Sequence, residues 1–320
     1  MVMRRPLATA SVLGCLALGA AARLAPSDAA ARVLGAAAGQ FRARVDLVTM
    51  GVTVTDRRGA VIAGLTRDDF EIVEDGRRQT IASFARGDEG VEALPLHLGL
   101  LFDTSGSMGE DIKLARSAAI RFLNTIDDAL DVTLVDFDTE VRVAKYPQRD
   151  FARMVERIRG RQPGGWTAMY DALGVYLDGA AEDEGRKILV LYTDGGDTRS
   201  TISVSDVMTL VRASDVTIYA VGFLENQPSS VRVTQRLRLT DIAETTGGQA
   251  FFPSAMKDVE AAYEKIVSQI RNQYIIGYTS ANRAQDGRWR RVEVRVTRPG
   301  LRDVRVQSRT GYFALFRDAR

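Results

Sequence analysis

In 320 residues there is one cysteine, Cys15, and one histidine, His97. A lone thiol excludes an intrachain disulfide and a cysteine-bound zinc, and Cys15 falls in an N-terminal segment expected to be removed. His97 sits inside the apolar run that ends at Asp103, where it reads as a packed strand residue, so histidine-based nucleophilic catalysis is not expected. Charge of either sign is not in excess: 43 basic and 41 acidic residues leave a formal net charge of +2. That balance gives no case for a nucleic-acid partner or an anionic membrane surface. No Gly-x-x-x-x-Gly-Lys-Ser/Thr and no Gly-x-Gly-x-x-Gly follows a strand pattern, which excludes the usual phosphate-cradling loops. With 45% hydrophobic and 26% charged residues, the chain has ordinary globular composition, enough for one α/β domain and a smaller companion.

The longest apolar run, about Leu7 to Ala22, follows Met-Val-Met-Arg-Arg and precedes small-residue sites at Gly19–Ala22 and Asp28–Ala31. This is the pattern of a secretory signal peptide over residues 1–30, and it is short for a membrane span, with Arg23 and Pro26 interrupting it. Export to the periplasm or the extracellular space, with envelope association as a variant, is the expectation. Val12-Leu13-Gly14-Cys15 also resembles a bacterial lipoprotein processing site, which would anchor the chain through a lipid on Cys15; the apolar residues continuing beyond Cys15 argue against it.

The chain is organised around Leu96–Met108, Leu-His-Leu-Gly-Leu-Leu-Phe-Asp-Thr-Ser-Gly-Ser-Met. A buried strand ends there at Asp103 and opens into a small, hydroxylated loop, the place where parallel sheets flanked by helices put their ligand sites. Asp103, Ser105 and Ser107 are hard oxygen donors on alternate residues, suited to Mg2+ or Mn2+. Gly164-Gly165-Trp166-Thr167 adds a hydroxyl at a helix start, and Thr193-Asp194-Gly195-Gly196-Asp197 a carboxylate at the end of a second apolar strand.

Around these pieces the periodicities alternate as a doubly wound sheet demands. Helices are expected at Met108–Ile126, Phe151–Ile158, Thr167–Ala181, Val207–Ala213, Gln235–Thr245 and Val259–Ile270. Strands are expected at Val132–Phe137, Val141–Ala144, Lys187–Thr193, Val216–Val221 and Ala250–Phe252. Residues 41–88 read as a small β unit, with Phe70–Val73 and Thr80–Phe84 flanking Glu74-Asp75-Gly76 as a hairpin. Residues 274–316 read as solvent-facing strands. Neither β unit has many strands, so the two are expected to pack together, with the α/β domain of residues 94–273 inserted between them.

At the three loop motifs the sequence resembles the von Willebrand factor type A family and its metal-ion-dependent adhesion site. The resemblance implies a mostly parallel Rossmann-like sheet inserted in a small discontinuous β-sandwich. It implies a divalent cation held by Asp103, Ser105 and Ser107, joined by Thr167, with Asp194 acting through water, and a protein partner whose acidic side chain completes the octahedron. The flanks, Gly64-Leu65-Thr66-Arg67-Asp68-Asp69-Phe70 with Glu74-Asp75-Gly76 and Gln273–Tyr278 with Arg309–Phe313, resemble an exported bacterial subgroup best populated in acidobacteria. The implied protein is a non-enzymatic binding or adhesion module. The alternative is a magnesium-dependent phosphohydrolase, since Asp136-Phe137-Asp138-Thr139 is similar to the nucleophile loop of haloacid-dehalogenase-type phosphatases. Lys187 would then have to assist from what is expected to be the wrong end of its strand.

Overall fold

The computed structural model describes residues 47–86, 94–126 and 128–316. The expected signal peptide, Cys15 and most of the linker before the metal strand lie outside the described residues. Among these, no helix is long and apolar enough to cross a membrane.

Strand β1 (Leu47–Thr55) is followed by β2 (Phe70–Glu74), β3 (Arg77–Gln79) and β4 (Ile81–Arg86). Asp75 and Gly76 both take positive φ, 45° and 80°, as a tight two-residue hairpin turn requires. Such a turn leaves no slack, so the returning arm starts at once: Glu74 pairs with Arg77 and Ile72 with Gln79. The expected arm at Thr80–Phe84 is therefore corrected. Ile81–Arg86 crosses to the other sheet, where it pairs with a strand from the C-terminal end.

The α/β domain runs β5 (Leu96–Asp103), α1 (Ile112–Thr125), β6 (Asp131–Phe137), β7 (Val141–Pro147), α2 (Phe151–Gly160), α3 (Met169–Ala180), β8 (Arg186–Thr193), α4 (Val204–Ala213), β9 (Thr217–Gly222), α5 (Ser229–Thr245), β10 (Ala250–Phe251) and α6 (Met256–Arg271). The sheet order is β10-β9-β8-β5-β6-β7, parallel except for β7. Phe122 of α1, Met154 of α2 and Ile266 of α6 share one core with Leu98 and Leu100. Leu173 of α3, Val207 of α4 and Leu239 of α5 share the other with Leu101 and Leu191. Covered on both faces, β5, β8 and β9 are buried at every position, which explains why their centres are apolar without alternation.

Two helix starts differ most from expectation. Residues Gly106–Gly109 form a 3-10 turn, so α1 begins at Ile112 and not at Met108. Helix α5 begins at Ser229 after Pro228, six residues ahead of Gln235. Its early apolar residues Val231, Val233 and Leu237 face solvent, so hydrophobic periodicity, the usual helix signal, is scrambled over its first turns.

After α6 come β11 (Tyr274–Thr279), β12 (Trp289–Val296), β13 (Arg305–Gln307) and β14 (Gly311–Phe313). They join the N-terminal strands in two four-stranded sheets, β13-β1-β11-β4 and β14-β12-β2-β3. Val52, Val54, Tyr274 and Ile276 of the first pack with Phe70, Ile72, Val292 and Val294 of the second. The α/β domain thus enters between β4 and β11, which are neighbours in one sheet. Strand β11 is not solvent-facing: it lies between β1 and β4 and is buried through Tyr278, as its nearly unbroken apolar composition warrants. Only β12 shows the alternation expected of the tail.

Gly248, just past α5, donates its N–H to the Ala243 carbonyl at 3.0 Å, and a Cβ there would overlap the Ile218 carbonyl. Backbone cannot move aside as a side-chain tip can, so Gly248→Ala is expected to destabilise the fold by about 1–3 kcal/mol. Urea unfolding measures this, and an unchanged midpoint would refute the close approach.

Candidate metal centre

The C-terminal ends of β8, β5 and β6 lie side by side, Phe102 level with Tyr192 and Asp103 with Phe137. Their exit loops are therefore forced to meet. Asp103 has no exposed surface. One of its oxygens accepts from the Ser105 N–H at 2.9 Å and the other from the Thr193 hydroxyl at 2.6 Å. The Ser105 and Ser107 hydroxyls are 3.1 Å apart, and Ser107 is exposed, so the loop carries its donors from the interior to the surface.

The Thr167 loop is tied to its neighbours by backbone bonds. Gly164 N–H donates to the Thr104 carbonyl at 2.9 Å, Gly106 N–H to the Gly165 carbonyl at 3.1 Å and Ala168 N–H to the Asp138 carbonyl at 2.9 Å. Gly165 sits at φ 73°, a left-handed conformation that favours glycine. On the other side the Thr167 carbonyl accepts from the N–H groups of Thr198 and Arg199, and its own N–H donates to the Thr198 hydroxyl at 3.0 Å. Thr167 is buried, while its neighbour Trp166 is 64% exposed and contributes surface to the rim.

Asp194 is 1% exposed. It accepts from the Gly196 N–H at 3.0 Å and from the Gln227 amide at 2.9 Å. Burial, and then the Asp194 charge, push the Asp103 carboxyl from 3.8 up to about 7, against the pull of its Ser105 and Thr193 hydrogen bonds. Among the described residues neither acid forms an ion pair with Lys or Arg. Two buried acids within electrostatic reach, with hydroxyls beside them and no basic partner, form a donor set that a hard divalent cation would neutralise. The described residues hold no cluster of three or more His, Cys, Asp or Glu side chains placed for a metal, so the hydroxyls are essential to any such site. All five sequence-predicted residues lie on the three loops at this end of the sheet.

Sequence reasoning missed Thr193, which holds Asp103 and also accepts from the Gly195 N–H at 3.0 Å. Its place next to Asp194 at a strand end was the available signal. It also missed Gln227, and Asn226, whose amide donates to Asp111 at 3.1 Å; nothing local in the sequence marks either.

Of the four arginines on loops and helix ends near the centre, three are engaged elsewhere. Arg161 binds Asp136 at 2.8 Å, Arg232 is spent on Glu225 and nearby carbonyls, and Arg236 lies over the Phe252 ring at 4.0 Å. Only Arg199, exposed beside Thr167, stays free of such a partner. Acids crowd the rim instead: burial raises the Asp111 carboxyl, opposed by its Asn226 hydrogen bond and reinforced by Asp194, Glu110 and Glu225.

The phosphatase-like pair is differently occupied. The Asp136 side chain is 2% exposed and lies against three guanidinium groups, Arg142 at 2.7 Å, Arg157 at 2.5 Å and Arg161 at 2.8 Å. Asp138 accepts from Arg142 at 2.6 Å. Both Asp136 oxygens are engaged, which does not fit a free nucleophile. Lys187 is at the start of β8, remote from Asp194, and pairs with Asp215 at 2.9 Å. His97 packs at the same far end, 3.0 Å from Asp131 and 3.1 Å from the Glu184 carbonyl.

Among known proteins, the chain is similar to an uncharacterised protein of Synechocystis sp., with 25% identity over 217 residues, covering 64% of this chain and 48% of that one. It thus spans about half the length of that curated relative. Among solved structures, a von Willebrand factor type A protein from Catenulispora acidiphila aligns at 14% identity with a TM-score of 0.48, over 87% of this chain and 76% of the other. A variant of the PilB minor pilin from Streptococcus sanguinis aligns at 14% identity with a TM-score of 0.46, over 57% and 63%. The family profile of the von Willebrand factor type A domain matches residues 97–269. That span runs from β5 into α6, takes in all three loops of the candidate centre and exceeds half the chain, and on it the protein belongs to the von Willebrand factor type A domain family.

Proposed function

We propose that the protein is a non-enzymatic binding module that uses a divalent cation to hold an acidic side chain of a protein partner. The observation that carries this reading is the pair of buried acids, Asp103 and Asp194, set beside the Ser105 and Ser107 hydroxyls without a basic counter-charge. Asp103, Ser105, Ser107, Thr167 and Asp194 would hold Mg2+ or Mn2+, which when bound supplies a Lewis-acidic position for an outside carboxylate. Thr193 and the Ser105 N–H orient Asp103, and Gln227 and the Gly196 N–H orient Asp194. The acids Glu110, Asp111 and Glu225 at the rim would repel an acidic partner in the absence of the cation, which makes partner binding depend on it.

Export to the periplasm or beyond belongs to the same proposal. It rests on the leader pattern and on flanking motifs that resemble those of an exported bacterial subgroup, which lie on the segment entering β2, on the turn after it, and on β11 and β14. Calorimetric titration of Mg2+ and Mn2+ into the metal-stripped protein tests the centre. Saturable binding that Asp103→Ala loses is expected, whereas equal heats from both proteins would sink the reading.

A further inference from the structure

An open groove of about 450 Å3 runs along α1 with Arg159 of α2 at its edge, and shares no residue with the sandwich strands or the three metal loops. Its polar lining is Lys113, Arg116, Ser117, Arg121, Asn124 and Arg159, with Ile120 contributing an aliphatic wall. Two of the four cations are already paired: Arg121 with Glu260, and Arg159 with Glu156 at 2.9 Å. Arg116 is not. Its Nε and Nη2 are shielded from solvent and donate to no acceptor. Of the other arginines with a buried unpaired Nε, Arg186, Arg232 and Arg290 each place a neighbouring nitrogen on an acceptor, the Ile270 carbonyl, the Glu225 and Gln227 carbonyls, and Asp286 respectively, and Arg309 lies over the Tyr312 ring at 5.5 Å. Leaving charged donors desolvated and unpaired is costly, and such groups are characteristic of sites completed by a ligand.

We propose that this groove is an oxyanion site that takes a soluble, linear phosphate-bearing ligand. The number of donors selects the chemistry. The Arg116 guanidinium, the Lys113 ammonium, the Ser117 hydroxyl and the Asn124 amide together offer more hydrogens than the two oxygens of one carboxylate accept, while tetrahedral phosphate oxygens accept them from several directions. The length selects a linear ligand: Lys113 and Asn124 lie at opposite ends of α1, about 16 Å apart along the helix axis, more than one phosphate spans. The site is open and runs along one helix, so a soluble chain is separated from an anionic bilayer surface by the vesicle arm of the test. The site does not share a residue with the metal centre, so it stands or falls independently of the proposed function.

The test is calorimetric titration of inorganic tripolyphosphate into the full chain in low-salt buffer containing a chelator, with parallel sedimentation of the protein on phosphatidylglycerol vesicles. Saturable, salt-sensitive binding is expected, weakened by about tenfold or more in Arg116→Gln, the loss of a charged hydrogen-bond donor, and less in Lys113→Gln. The thermal midpoint of ligand-free Arg116→Gln should not fall below the parent's, since the substitution removes an unpaired, desolvated charge, and that of Lys113→Gln, an exposed residue, should match it. Tripolyphosphate that fails to saturate, an Arg116→Gln protein that binds as well as the parent, or capture by vesicles without tripolyphosphate binding would each overturn the assignment.

Discussion

Asp103→Asn is expected to stabilise the metal-free protein at pH 8 and to remove its response to Mg2+. Burial and Asp194 raise the Asp103 carboxyl from 3.8 to about 7. Between those two values the folded state holds a proton that the unfolded chain has released, so stability falls as pH rises through that window and the loss is complete above it. Keeping Asp103 ionised at pH 8 costs the metal-free fold on the order of 4 kcal/mol. An amide carries no charge and can still accept from the Ser105 N–H, but its nitrogen meets the Thr193 hydroxyl, so roughly half of that is recovered, a rise of several degrees in Tm. The parent should respond in the opposite way, gaining stability as Mg2+ is added, because a ligand that binds only the folded state raises its stability. Thermal unfolding at pH 5 and pH 8, with and without Mg2+, measures all of this. An Asn variant less stable than the metal-free parent at pH 8 would show that Asp103 is held by its hydrogen bonds and not strained by its charge.

Asp136→Ala should have the opposite effect, a large loss of stability with no change at the metal centre. Asp136 is the shared counter-ion of Arg142, Arg157 and Arg161, whose side chains are only 21%, 25% and 34% exposed. Removing it leaves three partly buried guanidinium groups to repel one another across β6, β7 and the end of α2. Breaking a buried pair from one side costs about 3–5 kcal/mol, and the residual exposure of the arginines places this case toward the lower figure. Urea unfolding should show the loss, while Mg2+ affinity at permissive temperature stays at the parental value. The same residue separates binding from catalysis. A folded Asp136→Asn protein that lost a phosphatase activity shown by the parent would revive the phosphohydrolase reading, and an inactive parent would retire it.

Several features of the fold were legible because their signals are local. The strand ending at Asp103 is buried at all eight positions, apolar apart from His97 up to its terminal acid, and met by a small polar loop, and β8 runs apolar from Ile188 to Tyr192 into a similar loop. Ser203 and Asp206 form the capping box of α4, which begins at Val204, three residues before the expected Val207. The family resemblance joined the separate loops into one site, and Asp103, Ser105, Ser107, Thr167 and Asp194 do fall on adjoining loops. Where the local signal failed, a tertiary contact had replaced it. The first turns of α5 bury little and expose Val233 and Leu237, so nothing periodic announced them. Strand β4 left its hairpin because β11, nearly two hundred residues away, offers it a partner.

The sequence by itself determined the class of the domain and the donor types of its candidate site, because burial on two faces and hard oxygen donors are written into residue types and their spacing. Only the tertiary structure decided the electrostatics. That Asp103 has Asp194 for a neighbour and no basic group, that Arg161, Arg232 and Arg236 turn away to Asp136, Glu225 and Phe252, and that Arg116 is left without a partner all depend on which loops and helices come together in space. Charge interactions follow distance and burial, and sequence order records neither.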